Sequence, residues 1–140
     1  MHKYKVAYVC VHNSCRSQMA EAITKINSSN LFEAYSAGTH LKPQINQDAV
    51  SIIQELYHYD MNQTQKSKLI DALPKDIDIV ITMGCNVDCP YLPCLFREDW
   101  GLEDPTGKGK EEFISIAKQI EKNIDDLANR IATGEIILKK

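Results

Sequence analysis

Apolar and polar positions in this chain switch between two periods, and the switches mark its elements. Lys3 to Val9 is an apolar, β-rich run that ends abruptly in Cys10-Val11-His12-Asn13-Ser14-Cys15-Arg16-Ser17. Met19, Ala20, Ala22, Ile23 and Ile26 then recur at helical spacing until Asn27-Ser28-Ser29-Asn30 stops them. Phe32 to Ala37 reads as a second strand closed by Gly38, and Asn46 as the N-cap of a helix with Ala49, Ile52, Ile53 and Leu56 on one face. A short helix is expected around Ser67 to Leu73, ended by Pro74. Ile77 to Met83 has the unbroken apolar character of a strand covered on both sides, and a short fourth strand is expected near Leu95 to Glu98. Phe113, Ile116, Ala117, Ile120, Ile124, Leu127 and Ile131 form the stripe of a last, long helix, best explained by packing on the sheet.

Strands alternating with helices predict an α/β fold: a three-layer arrangement of a four-stranded parallel sheet flanked by helices on both faces. Ligands of such sheets sit beyond the carboxyl ends of the strands. The first strand ends at Cys10 and the third at Gly84-Cys85, so topology alone predicts two cysteine-bearing turns on one edge.

Composition narrows the field. The chain has 140 residues, with no repeat or long linker, which is the size of a single domain spanning 1–140. Sixteen basic against nineteen acidic residues give a net charge of −3, which argues against nucleic-acid or anionic-membrane partners. No apolar run approaches the roughly 18 residues of a membrane span, and the run from Val6 to Val11 is too short for a signal-peptide core, so a cytoplasmic location is expected. In a reducing compartment, five cysteines, an odd number, point to reactive thiols or metal ligands rather than a disulfide framework.

Cys10 and Arg16 are spaced C-x5-R between a strand and a helix. Backbone N–H groups of Val11, His12, Asn13, Ser14, Cys15 and Arg16, in a loop feeding a helix N-terminus, favour a bound anion. Arg16 adds a planar fork that matches two oxygens of a tetrahedral oxyanion. The same positive field stabilises a thiolate, making Cys10 a candidate nucleophile, and Ser17 a hydrogen-bond donor to it. A buried structural cysteine is the competing reading, but Ser14, Arg16 and Ser17 are polar groups that a structural core would not collect here. His12 either tunes the thiolate or faces solvent. Cys15 either packs under the loop or pairs with Cys10 as oxidative protection.

Three readings stay open for Cys85, Cys89 and Cys94. The C-x3-C-x4-C spacing is a poor zinc motif without a fourth ligand, so no metal site is expected. Cys94, ahead of a strand, suits a structural role. In the redox reading, Cys85 and Cys89 are resolving thiols; side chains four apart on a helix are about 5–6 Å apart at Cβ, against about 3.8 Å in a disulfide, so pairing them would remodel the segment. The segment Trp100 to Gly109 holds three glycines and reads as a mobile lid, with Asp104 either a general acid or the opening of an Asp-Pro turn, and Glu103 a second candidate.

Cys10 to Glu21 resembles the phosphate loop of low-molecular-weight protein tyrosine phosphatases, and is more similar still to the thioredoxin-coupled arsenate reductases built on that fold. The resemblance runs nearly the whole chain, through Tyr35-Ser36-Ala37-Gly38 and Asp104-Pro105. It implies that Cys10 attacks an arsenate or phosphate oxyanion, Arg16 holds it, and Asp104 is the acid. It further implies that Cys85 and Cys89 carry a disulfide outward to thioredoxin or a similar dithiol, with no metal and no organic cofactor; the family's two later cysteines are usually more widely spaced. The family usually has glycine where His12 stands. Asn13, Glu21 and Ser36 match a potassium site of some members, but Lys66 takes the place of its aspartate, so a lysine charge is expected there instead. The aryl-gripping tyrosines of the phosphatases are replaced by Thr106 and Gly107, which suits a small oxyanion. Arsenate reduction is therefore the leading expectation. A phosphomonoester hydrolase is the runner-up, and an oxyanion- or arsenite-binding regulator the reading from another class.

Overall fold

The computed structural model describes residues 3–12, 15–40, 43–84 and 92–138. Four parallel strands, β1 (Tyr4–Cys10), β2 (Phe32–Gly38), β3 (Ile79–Thr82) and β4 (Phe96–Asp99), lie in the order β2-β1-β3-β4. They alternate with α1 (Arg16–Asn27), α2 (Gln47–Tyr57), the short α3 (Met61–Thr64) and α4 (Lys110–Ala132). β1 pairs with β2 from Tyr4↔Phe32 to Cys10↔Gly38, and with β3 from Val6↔Ile79 to Val9↔Thr82.

Alternation along β1 sorts its side chains between two cores. Val6, Tyr8 and Cys10 join Ile79 and Ile81 beneath α1, α2 and α4. Ala7 and Val9 join Ile77 and Val80 on the other face, covered by Ile70, Leu73, Leu92 and Cys94. The predicted stripe of α4 is the buried one, from Phe113 to Leu127. Asn46 caps α2 by accepting from the Asp48 and Ala49 amides. No helix among the described residues is long and apolar enough to cross a membrane.

Two local expectations need correcting. The helix expected at Ser67 to Leu73 is a single 3-10 turn, Ile70–Ala72, preceded by a strand-like bridge from Leu69 to Gly38; Pro74 and the bond from the Gly38 amide to the Lys68 carbonyl leave no room for a longer helix. The helical turn Met61–Thr64 was not expected; it is nucleated by Asp60 accepting from the Asn62 amide, and held by Met61 in the core.

Because all four strands are parallel, the segments following them meet on one edge. β2 and β3 flank β1 on opposite sides, so the chain's crossovers diverge there and open a crevice beyond Cys10 and Thr82.

Candidate active site

Cys10 is the last residue of β1 and is 4% exposed. Its Sγ lies 2.8 Å from the Ser17 hydroxyl, which sits in the first turn of α1. In the thiolate form that hydroxyl is the donor. The β-strand thus delivers the sulfur and the helix delivers its hydrogen-bond partner.

The loop between them is braced from outside. The Val11 carbonyl accepts from the His40 amide at 2.8 Å and the Thr39 hydroxyl at 3.3 Å, and the His12 carbonyl accepts from the Ser67 hydroxyl at 3.2 Å. In a planar trans peptide the N–H points opposite the carbonyl, so a Val11 carbonyl turned outward sends the His12 N–H inward. α1 differs from α2 in that Cys15, its N-cap, makes no side-chain capping bond. Asn13, Ser14, Cys85 and Cys89 lie outside the described residues.

Arg16 opens α1, and its Nη1 donates to the Leu102 carbonyl at 2.7 Å and to the Met83 carbonyl. Both protons of Nη1 are thereby used to fix the guanidinium plane across the crevice between β3 and the acid loop. Gly84 makes this junction possible. It sits at φ +89°, and a Cβ there would meet Gly101 Cα and the Leu102 carbonyl oxygen at 3.3 Å each.

Cys10, Val11, His12, Cys15 and Arg16 line one wall of a cleft of about 640 Å3; Pro43 to Asp48, Asp104 and Thr106 form the other. Glu103 is not on the lining and pairs with Lys108 at 3.6 Å, so of the two candidate acids only Asp104 faces Cys10's side of the cleft. Burial works to raise the Asp104 carboxyl, but hydrogen bonds from the Thr106 hydroxyl and amide outweigh it, aided by Arg16 and His12, and hold it below the usual carboxylate range. Cys15 is 3% exposed; burial, with Asp104 and Cys10 nearby, pushes its thiol far up, so it remains protonated. Cys10, Cys15 and Cys94 are all free thiols, and Cys94 packs half-buried against the second core. His12 is exposed at the cleft, its ring 6.1 Å from that of His40.

Beneath the loop lies a polar layer that sequence reasoning located only in part. Glu21 is buried and accepts from Ser36 Oγ at 2.5 Å and Lys25 Nζ at 2.5 Å, with Lys68 Nζ at 3.5 Å. The lysine charge expected from Lys66 comes instead from Lys25 and Lys68. Lys66 is exposed and contributes its backbone carbonyl, which accepts from Gln18 Nε2 at 2.9 Å. Gln65 Nε2 in turn donates to Gln18 Oε1 at 2.7 Å. The i,i+4 spacing of Glu21 and Lys25 was legible in the sequence; the reach of the 65–68 segment was not. Among the described residues, no group of three or more His, Cys, Asp and Glu side chains is arranged to hold a metal ion.

Residues 5–135 match the family described as low molecular weight phosphotyrosine protein phosphatase. The chain belongs to that family. Arsenate reductase 1 of Staphylococcus epidermidis is 34% identical over 140 residues, covering 94% of this chain and all of that protein. A solved structure described as an arsenate reductase in the phosphate-binding state superposes with a TM-score of 0.81 at 33% identity, covering 91% of this chain and 98% of that one. A thioredoxin-dependent arsenate reductase of Corynebacterium glutamicum superposes with a TM-score of 0.73 at 30% identity, over 94% of this chain and 63% of that one. The resemblance first drawn from the Cys10 loop therefore extends along the whole fold.

Proposed function

We propose that this protein reduces arsenate to arsenite, using Cys10 as nucleophile and its own later cysteines as the electron source. The observation that carries the reading is the convergence on one cleft of Cys10, hydrogen-bonded to Ser17, with Arg16 and Asp104. Homology to arsenate reductases over nearly the full chain supports it.

In this reading arsenate binds with its oxygens on the loop amides from Val11 to Arg16 and on the Arg16 guanidinium. The Cys10 thiolate attacks arsenic, and an oxygen leaves as water. Asp104 is held as a carboxylate when the cleft is empty. A negative oxyanion beside it raises its proton affinity, and a protonated arsenate carries the proton needed. Asp104 can then pass that proton to the departing oxygen. The Cys85 thiolate next attacks Cys10 Sγ. The sulfur–arsenic bonding pair stays on arsenic, which leaves as arsenite, and a Cys10–Cys85 disulfide forms. Cys89 attacks Cys85, freeing Cys10 and leaving a Cys85–Cys89 disulfide for thioredoxin or a similar dithiol. Two thiols lose two electrons and As(V) gains them, so the step balances without a metal.

The same Cys10, Arg16 and Asp104 would pass a phosphoryl group to water, a residual phosphatase activity in keeping with the family. Variants separate the two. In a Cys85→Ser variant, multiple-turnover arsenate reduction is lost while p-nitrophenyl phosphate hydrolysis persists. Full-rate dithiol-dependent arsenate reduction by a Cys85→Ser, Cys89→Ser double variant would overturn the cascade.

A further inference from the structure

Thr106 joins the acid loop to the start of α2 along one wall of the cleft. Its hydroxyl donates to Asp104 Oδ1 at 2.7 Å, and its amide donates to the same oxygen at 3.0 Å. Asn46 Nδ2, from the cap of α2, reaches Thr106 Oγ1 at 3.5 Å. A hydroxyl has one proton and two lone pairs. With the proton given to Asp104, the lone pairs are left to accept from Asn46.

We infer that Thr106 is the positioning residue of the acid: it fixes one carboxylate oxygen of Asp104 and ties it to α2 through Asn46. This deepens the proposed function and rests on its reading of Asp104 as acid. The anchor has a consequence for titration. A hydroxyl donor favours the ionised carboxylate, so Thr106 sets where on the pH axis Asp104 becomes a usable acid. Other groups act in the same field: Arg16 from α1 and His12 from the loop lower the carboxyl, Cys10, Cys15 and Asp48 share the cleft lining, and Glu103 on its own segment is paired with Lys108. Thr106 differs from all of them in touching Asp104 twice.

The test is a carbon-13 NMR titration of the Asp104 carboxyl in the reduced full-length protein, assigned by its loss in Asp104→Asn. It compares wild type with Thr106→Val, which keeps the shape without the hydroxyl, and Thr106→Ser, which keeps the hydroxyl. In Thr106→Val the midpoint moves up by about one pH unit, and the basic limb of the arsenate turnover profile moves with it; in Thr106→Ser both stay near wild type. An unchanged midpoint in folded Thr106→Val, or an equal displacement in Thr106→Ser, would overturn the assignment. Wild-type arsenate turnover by Asp104→Asn would instead remove Asp104 as the acid, and the NMR midpoints would still decide what Thr106 does to it.

Discussion

Cys10 and Arg16 do different work although seven residues hold both. Cys10 supplies the reactive sulfur, and Arg16 supplies geometry as well as charge, since Nη1 bridges two backbone carbonyls from separate segments. Arg16→Lys keeps a cation but loses the planar fork, so binding of a tetrahedral oxyanion falls by at least tenfold while the fold is retained. Isothermal titration with phosphate checks this. A Cys10→Ser variant binds phosphate yet neither reduces arsenate nor hydrolyses an ester. These roles were legible because strand, loop and helix are contiguous in the sequence. The link from Thr106 to α2 was not, because Asn46 lies 60 positions away and no periodicity connects the two.

At the level of elements, the site depends on how strand ends and helix starts are finished. Asn46→Ala leaves the Asp48 and Ala49 amides without their side-chain acceptor and costs about 1 kcal/mol, read as a lower urea midpoint with unchanged slope. Gly84→Ala is worse placed. Its positive φ and the 3.3 Å approach to Gly101 and Leu102 force the acid loop away from β3, so both stability and oxyanion binding fall. Apolar spacing exposed α1, α2 and α4 well, because each buries a stripe. It could not show that α1 is covered nearly all round, with Ser17, Gln18, Glu21 and Thr24 buried. Those four are held by distant partners: Thr24 by Tyr8 at 2.7 Å, Glu21 by Ser36, Gln18 by Gln65 and Ser17 by Cys10. Buried polar pairs of this kind are set by tertiary contact and leave little trace in hydropathy. The 3-10 turn at Ile70–Ala72 departs from the helix expected at Ser67 to Leu73 for the opposite reason: the apolar Ile70 and Leu73 cover the second sheet face without a helix behind them.

For the molecule as a whole, the long α4 joins the sheet's edge strand to the core. Arg130 Nη1 and Nη2 make paired bonds to Glu98 at 2.9 and 2.7 Å, and Trp100 Nε1 adds a third at 2.8 Å. Arg130 above all, with Trp100, outweighs burial and lowers the Glu98 carboxyl below its ordinary value of 4.5. A depressed carboxylate stabilises the fold above its unfolded-state value, and the gain disappears as pH falls through the folded one. Arg130→Met therefore destabilises the protein by about 2 kcal/mol at pH 7, and the gap from wild type narrows below pH 4.5. Denaturant melts at pH 7 and pH 3 check both parts. Fold class was readable at this scale because a parallel sheet imposes alternation of strands and helices, and its edge fixed where Cys10 would face. The central claim concerns electrons, and it is tested most directly by arsenate-dependent NADPH oxidation, with thioredoxin and thioredoxin reductase in one arm and glutaredoxin, glutathione and glutathione reductase in the other. Consumption that requires arsenate and vanishes in both Cys10→Ser and Cys85→Ser is the result predicted. No arsenate-dependent consumption in either arm, from a preparation that hydrolyses p-nitrophenyl phosphate briskly, would contradict it and leave a phosphatase.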